Sequence, residues 1–170
     1  MRERLVAWAG DCIVRGDVNV AEGRLSDLFN HTELVTFFGA TLEALEDGRQ
    51  VLVDELEVER HELHIIEVEG HQGDPERRLR TVSEPVSMRV GPFAVTGNLH
   101  RAPSAPPLSS LAKWAHFLPM TDVEFRLAEG EGTPATKGVV LVNRERITRA
   151  QAVAPIPGES ADAIAAEPIA

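Results

Sequence analysis

A stretch near the N-terminus of this chain returns in its middle as a similar pattern with its glycines at the same spacing, and self-similarity of this kind constrains a fold before any single motif does. Leu5-Val6-Ala7-Trp8-Ala9-Gly10-Asp11-Cys12-Ile13-Val14-Arg15-Gly16-Asp17-Val18 returns 81 positions later as Val86-Ser87-Met88-Arg89-Val90-Gly91-Pro92-Phe93-Ala94-Val95-Thr96-Gly97-Asn98-Leu99. Gly10, Val14 and Gly16 recur as Gly91, Val95 and Gly97. After a two-residue insertion, Arg24-Leu25-Ser26-Asp27-Leu28 corresponds to Pro107-Leu108-Ser109-Ser110-Leu111, and Leu34-Val35-Thr36-Phe37 to Phe117-Leu118-Pro119-Met120. Late in each copy, the run Glu57 to Leu63 lines up with Leu141 to Ile147. The rival explanation, a generic β periodicity, does not account for elements recurring in one order with small shifts. The sequence is therefore expected to encode two tandem copies of one small domain.

Each copy reads as mainly β. Short runs rich in Val, Ile and Phe, bounded by Gly, Pro, Asp and Asn, predict strands near 4–9, 12–20, 34–45, 51–58 and 63–68 in the first copy. Leu25, Leu28 and Phe29 break the alternation: their i, i+3, i+4 spacing predicts a short helix over 24–30 that caps a barrel. Gly16 and Gly97 sit inside strands, where a glycine permits a bulge or bend. Gly48 predicts one hairpin turn, and Gly130 and Gly132 the corresponding turn of the second copy. A five-stranded sheet this small must curl to hide its apolar face. The expected architecture is thus two tandem small β-barrels of SH3-like size, each with a short helix, related by pseudo-twofold or translational symmetry. The first would occupy 1–69, a linker with Gly70, Gly73 and Pro75 would span 70–85, the second barrel 86–153, and a disordered acidic tail 154–170.

Charge separates the two copies. Residues 1–85 hold 9 Lys and Arg against 19 Asp and Glu, a net of −10, whereas residues 86–153 hold 8 against 5, a net of +3. An acidic whole is repelled by phosphate backbones, so nucleic acid is a disfavoured partner for the chain, though less so for its second half. Opposite signs suit the halves packing together or molecules stacking head to tail. The longest apolar runs, such as Val139 to Val142, are far below the roughly 20 residues of a membrane span, and Met1-Arg2-Glu3-Arg4 lacks a signal-peptide pattern. A cytoplasmic location and no membrane partner are expected. The single cysteine, Cys12, excludes an intrachain disulfide and a cysteine-based zinc site, and its apolar setting predicts a buried, inert thiol.

Two resemblances follow from particular residues. Gly23-Arg24-Leu25-Ser26-Asp27-Leu28-Phe29-Asn30, and Phe117-Leu118-Pro119-Met120-Thr121-Asp122-Val123 in the second copy, resemble halves of a pattern in a small uncharacterised bacterial β domain. In that domain an RLSD-type helix precedes an FLPLTD-type strand; each copy here keeps a different half, and no activity is implied. The element order, with Val142-Asn143-Arg144-Glu145-Arg146-Ile147 in the place of the last tight turn, also resembles the Sm-like small barrel. In the Sm-like family an aspartate and an asparagine flanking a short segment help to read RNA bases. Asp27 and Asn30 have the wrong spacing, and Ser110 and Lys113 stand in their places in the second copy, so RNA reading is not carried over.

No constellation predicts catalysis. His61-Glu62-Leu63-His64, with His71 or His31 as a third ligand, is the best metal candidate, but on a strand positions 61 and 64 face opposite ways, and the helical zinc-protease spacing is four positions between histidines, not three. Ser26, Ser109 and Ser110 stand at helix starts, where a hydroxyl caps backbone N–H groups. Asp54, Glu55, Glu57, Glu59 and Glu62 read as the wet face of a strand. Gly130 and Gly132 lack the following helix of a phosphate-cradling loop. No enzyme activity, cofactor or metal is expected. Trp8, Phe37, Phe38, Phe93, Phe117 and Phe125 read mostly as core, while Trp114, beside Lys113, is a candidate contact anchor. Two functional expectations remain: a non-catalytic protein-interaction or assembly module, working through a strand edge on a protein partner or on its own copies; or an RNA or nucleotide binder using Arg101, Lys113, Arg144, Arg146 and Arg149.

Overall fold

The computed structural model describes residues 1–21, 24–68, 80–112 and 115–153. Ten strands carry the fold: β1 (Arg2–Ala9), β2 (Cys12–Asn19), β3 (Leu34–Ala44), β4 (Gln50–Glu59), β5 (Leu63–Glu67), β6 (Val82–Val90), β7 (Phe93–Arg101), β8 (Phe117–Leu127), β9 (Ala135–Asn143) and β10 (Ile147–Ala152). One helix among the described residues, α1 (Leu25–His31), lies between β2 and β3, and short 3-10 turns precede β5 (Arg60–Glu62), β8 (Ser109–Ala112) and β10 (Arg144–Arg146). The hairpin at Gly48 closes through Gly48 N–H to Ala44 O (2.9 Å) and Ala44 N–H to Arg49 O (2.9 Å). The linker expected at 70–85 and the tail expected at 154–170 fall largely outside the described residues; β6 begins at Val82, inside the first of these segments.

The expected pair of closed barrels is corrected by the strand order. All ten strands form a single antiparallel sheet, β10-β6-β7-β8-β9-β5-β1-β2-β3-β4, which does not close. The reason lies in β5 and β9. Closing the first half would bring β4 to β5, and closing the second would bring β9 to β10. Instead β5 and β9 pair with each other, Ile65 opposite Val142 and Ile66 opposite Leu141, and thereby leave β4 and β10 at the two ends of the sheet. The helical expectation is also only half met. Where the first half has α1, the second has the 3-10 turn at Ser109–Ala112. Pro103, Pro106 and Pro107 restrict the loop before it and remove N–H donors, and Leu108 sits at φ 60° with its N–H shared between both carboxylate oxygens of buried Glu84, 3.0 Å each.

The two halves nonetheless bend at the same places. Gly16 lies where the β2–β3 register shifts between Arg15 and Asp17, and Gly97 where the β7–β8 register shifts between Thr96 and Asn98. A Cβ at Gly16 would stand 3.1 Å from Phe38 O, and one at Gly97 3.0 Å from Val123 Cγ2, so each bulge draws the neighbouring strand too close for a larger residue.

Two apolar cores result, on opposite faces of the strands they share. Leu5, Val14, Val18, Leu25, Phe29, Phe37 and Leu63 build the first, and it also takes Phe117 and Leu141 from the second half. Met88, Phe93, Val95, Met120, Phe125 and Val140 build the other, and it takes Trp8 and Ile65 from the first half. Successive strand residues point to opposite faces, so Ile65 and Ile66, Phe117 and Leu118, and Leu141 and Val142 each serve one core apiece. The exchange is reinforced by ring contacts: Phe29 lies 5.4 Å from Phe117, and Trp8 meets Phe125 edge-on at 4.9 Å.

Polar groups stitch the same seam. Asn143, 1% exposed, donates from Nδ2 to Leu63 O (2.8 Å) and accepts at Oδ1 from Glu145 N–H (3.0 Å). Asn30 Oδ1 accepts from Phe117 N–H (2.8 Å), Arg146 Nε donates to His61 O (2.6 Å), and Lys137 pairs with Glu67 at 2.8 Å.

Candidate functional site

A cleft of about 330 Å³ opens where the β1–β2 turn, the end of β4 and the 3-10 turns before β5 and β10 converge. Val14, Leu42, Leu56 and Val58 supply its apolar lining, while Asp11, Glu57, Glu62 and Arg146 supply charge. Three carboxylates against one guanidinium make it acidic. Arg146 arrives from the second half, so the cleft is complete only because the halves share one sheet.

His64 also lines it, and its surroundings fix its protonation. Its Nδ1 lies 3.0 Å from Glu62 O, a carbonyl that can only accept, so Nδ1 carries the hydrogen. The ring is 7% exposed and stacks edge-on toward Phe93 at 6.2 Å. Burial holds the imidazole pKa below its ordinary value against an opposing pull from the hydrogen bond to Glu62 O, and the Arg146 charge adds a lesser push in the same direction as burial. His100, whose Nε2 meets Thr121 Oγ1 at 2.8 Å, is likewise held down by burial. A folded-state pKa below the unfolded 6.5 means that the unfolded chain binds more protons in the window beneath 6.5. The stability these neutral rings contribute is therefore present above that pH and is lost as the pH falls through it. Thermal unfolding midpoints are expected to drop between pH 7.5 and 5.5, and the drop to shrink in His64→Phe and His100→Phe chains; a midpoint that stays level, or a slope unchanged in both variants, contradicts this assignment.

Cys12 shares the cleft, but its thiol is pushed up to about 11 by burial, by its hydrogen bond with Asp11 and by the Asp11 and Glu62 charges. It stays protonated at neutral pH and makes a poor nucleophile. His61 and His64 do not converge: His61, half exposed in the 3-10 turn, pairs with Glu59 at 3.1 Å, whereas His64 is buried. Among the described residues no group of three His, Cys, Asp or Glu is placed to hold a metal.

The two ends of the sheet are the other feature. Among the described residues strand β4 is hydrogen-bonded to β3 alone and β10 to β6 alone. Along β4, Val51 is 54% and Leu52 80% exposed, amid Asp54, Glu55, Glu57 and Glu59. Along β10, Arg149 is exposed and stands opposite Arg89 of β6. Unpaired edges of this length template further strands unless they are covered.

The basic residues singled out from sequence are not gathered. Arg144 and Arg146 lie in the turn before β10, and Arg149 on β10 itself. Arg101 is at the far end of β7, seven residues beyond Ala94, which faces Arg89 and so marks the level of Arg149. Seven residues span about 24 Å of strand. Its Nη1 donates to Ala105 O at 2.7 Å, and its Nε lies 3.8 Å from Glu84, so the guanidinium organises the loop after β7. Lys113 and Trp114 lie outside the described residues. The cleft and the β4 edge were missed as sites because both depend on which strands end the sheet; the acidic run on β4 was legible only as a wet face.

Comparison with protein-family models, with curated proteins and with solved structures returns no match. No helix among the described residues is long and apolar enough to cross a membrane.

Proposed function

We propose that this chain is a non-catalytic protein-interaction module that accepts an extended segment of a protein partner as an added strand along β4. One observation carries the reading: β4, ten residues long, ends an open sheet with Val51 and Leu52 bared on it. Main-chain pairing would supply affinity and the side chains beside the edge selectivity, as in strand addition generally. The acidic cleft supports the same reading, since Leu56, Glu57 and Val58 both belong to β4 and line it. A segment laid on β4 would thus pass its mouth, where a basic side chain with an apolar stem would find matching surroundings. Cys12, held protonated, supplies no activated nucleophile, which favours binding over chemistry. The nucleic-acid reading has less support, because Arg101 and Arg149 stand far apart on a chain of net charge −10.

The same reading takes β1–β5 and β6–β10 as two copies of one unit. The order β5-β1-β2-β3-β4 matches β10-β6-β7-β8-β9, and the bulges at Gly16 and Gly97 fall at the same step of each. A photo-crosslinking residue at Leu52, in cells that make the protein, is expected to give protein adducts that the same residue at Glu131, exposed in the β8–β9 connection, does not. Equal yields at both positions, or none at Leu52, would overturn the proposal.

A further inference from the structure

We infer that the strand added to β4 is β10 of a second copy of this chain, so that molecules join head to tail and one sheet runs on into the next. The inference rests on β4 being a strand-accepting edge. Three observations give it its occupant.

The first is direction. Every strand is antiparallel to its neighbours, and the sheet holds an even number, ten, so β4 and β10 run in opposite senses. Setting the β4 end of one molecule beside the β10 end of another therefore continues the antiparallel alternation without turning either molecule over. The second is that the chain already contains such a joint. In the strand orders above, β9 holds in its half the place of β4, and β5 holds the place of β10. The seam between the halves is thus the joint now inferred between molecules, made once inside the chain. Repeating its register would set Arg149 opposite Val58: Arg149 faces Arg89 as Ile65 faces Trp8, and Val58 faces Val35 as Val142 faces Leu118.

The third is charge. Asp54, Glu55, Glu57 and Glu59 make the β4 edge acidic, and Arg149 is the one charged residue of β10; in the register above Glu57 and Glu59 lie on the face opposite to Arg149, so the charges act across the edge without pairing directly. Like edges repel: β4 on β4 brings carboxylates together, β10 on β10 brings guanidinium groups together, and only β4 beside β10 sets opposite signs within the range over which exposed charges act. At the inner seam the corresponding places hold Ile65 and Leu141, fully buried; at the ends they hold Arg149 and Glu57. The inner joint is permanent and the outer one is a reversible, salt-sensitive contact. Because the joined surfaces differ, the association is heterologous and does not stop at two unless a ring closes.

Sedimentation velocity of the purified full chain tests this. At low ionic strength the mass is expected to climb with concentration from the 18.5 kDa of one chain to beyond that of two, and to return toward one chain in about 0.5 M salt, where exposed charges are screened. Arg149→Glu alone, or Glu57→Lys with Glu59→Lys, should weaken association at least about tenfold; the chain carrying all three changes should regain it, since the charges on either side of Val58 and the charge at position 149 are again of opposite sign. Circular dichroism confirms the fold of each variant, and Arg149→Gln and Glu57→Gln replace any that fails, with weakening expected from each. A wild-type chain monomeric at several hundred micromolar overturns the inference, as does a dimer that grows no further or a folded triple variant that stays apart. Crosslinks from Leu52 to a different protein, with the purified chain monomeric, would overturn the self-pairing and leave strand addition standing; Leu52 lies beyond the stretch that β10 covers in this register, so no crosslink from it removes the partner reading while the mass of the purified chain decides the self-pairing.

Discussion

Phe117→Ala is expected to lower the unfolding free energy by about 3–5 kcal/mol, the range for emptying a buried aromatic site, and to do so in one cooperative transition. Phe117 opens β8, in the second half, yet its ring is 1% exposed within the core of the first, 5.4 Å from Phe29 of α1. Its own N–H is held by Asn30, the next residue of the helix. The truncation would therefore leave a cavity under α1 while the second core kept its own set of rings. Were the halves independent, the damage would appear as an early, partial transition of residues 1–68. With β5 and β9 paired, and Trp8, Ile65, Phe117 and Leu141 exchanged between cores, both halves should melt together at a lower urea midpoint with the slope unchanged. Tryptophan fluorescence and far-ultraviolet circular dichroism should trace one curve; two separated transitions would show that the seam does not couple the halves.

Gly91→Ala is expected to cost about 2–5 kcal/mol, and through His64. Gly91 turns the chain between β6 and β7 at φ 53°, a region that costs a residue with a Cβ roughly 1–2 kcal/mol. A Cβ there would also collide with His64 Cδ2 and Nε2. The imidazole cannot step aside, being buried, hydrogen-bonded to Glu62 O and packed toward Phe93, so overpacking adds about 1–3 kcal/mol. Gly132→Ala, where nothing lies within 4 Å and φ is not positive, is the control, with a change within about 0.5 kcal/mol. His64→Ala placed in the Gly91→Ala chain should recover the steric part but not the backbone part, giving a measurable coupling between two residues 27 positions apart in sequence. Additive losses would mean that the ring is not what Gly91 accommodates.

Much of the local structure was legible. The strands expected near 4–9, 12–20, 34–45, 51–58 and 63–68 coincide, within two residues at either end, with β1 to β5, and Leu25 and Phe29 do form the buried side of a helix. Period-2 alternation, the i, i+4 pair and turn glycines are short-range signals, so the sequence carries them directly. The closing of each half was not legible, because it depends on a pairing between residues far apart. Yet a signal was present: Ile65-Ile66 and Val139-Val140-Leu141-Val142 do not alternate, and an unbroken apolar run marks a strand covered on both faces. A strand of a free-standing small barrel would have one wet side. Taken together, the two runs point to partners inside the sheet. The cleft was less accessible still, since Cys12, Glu57, His64 and Arg146 meet only once the seam has formed. Glu84 shows the limit most plainly: an acid between Ser83 and Pro85 gives no hint that it will be 7% exposed and clasp the N–H of Leu108.

Strands β5 and β9, with a core against either side, leave the molecule without a slack layer. A side chain in the middle of an ordinary small sheet can change size while solvent absorbs the misfit on the reverse; at Ile65, Ile66, Leu141 or Val142 there is no reverse. Any history of change in one half must therefore be written in the other as well, and the two can diverge at their rims but have to age together along their spine.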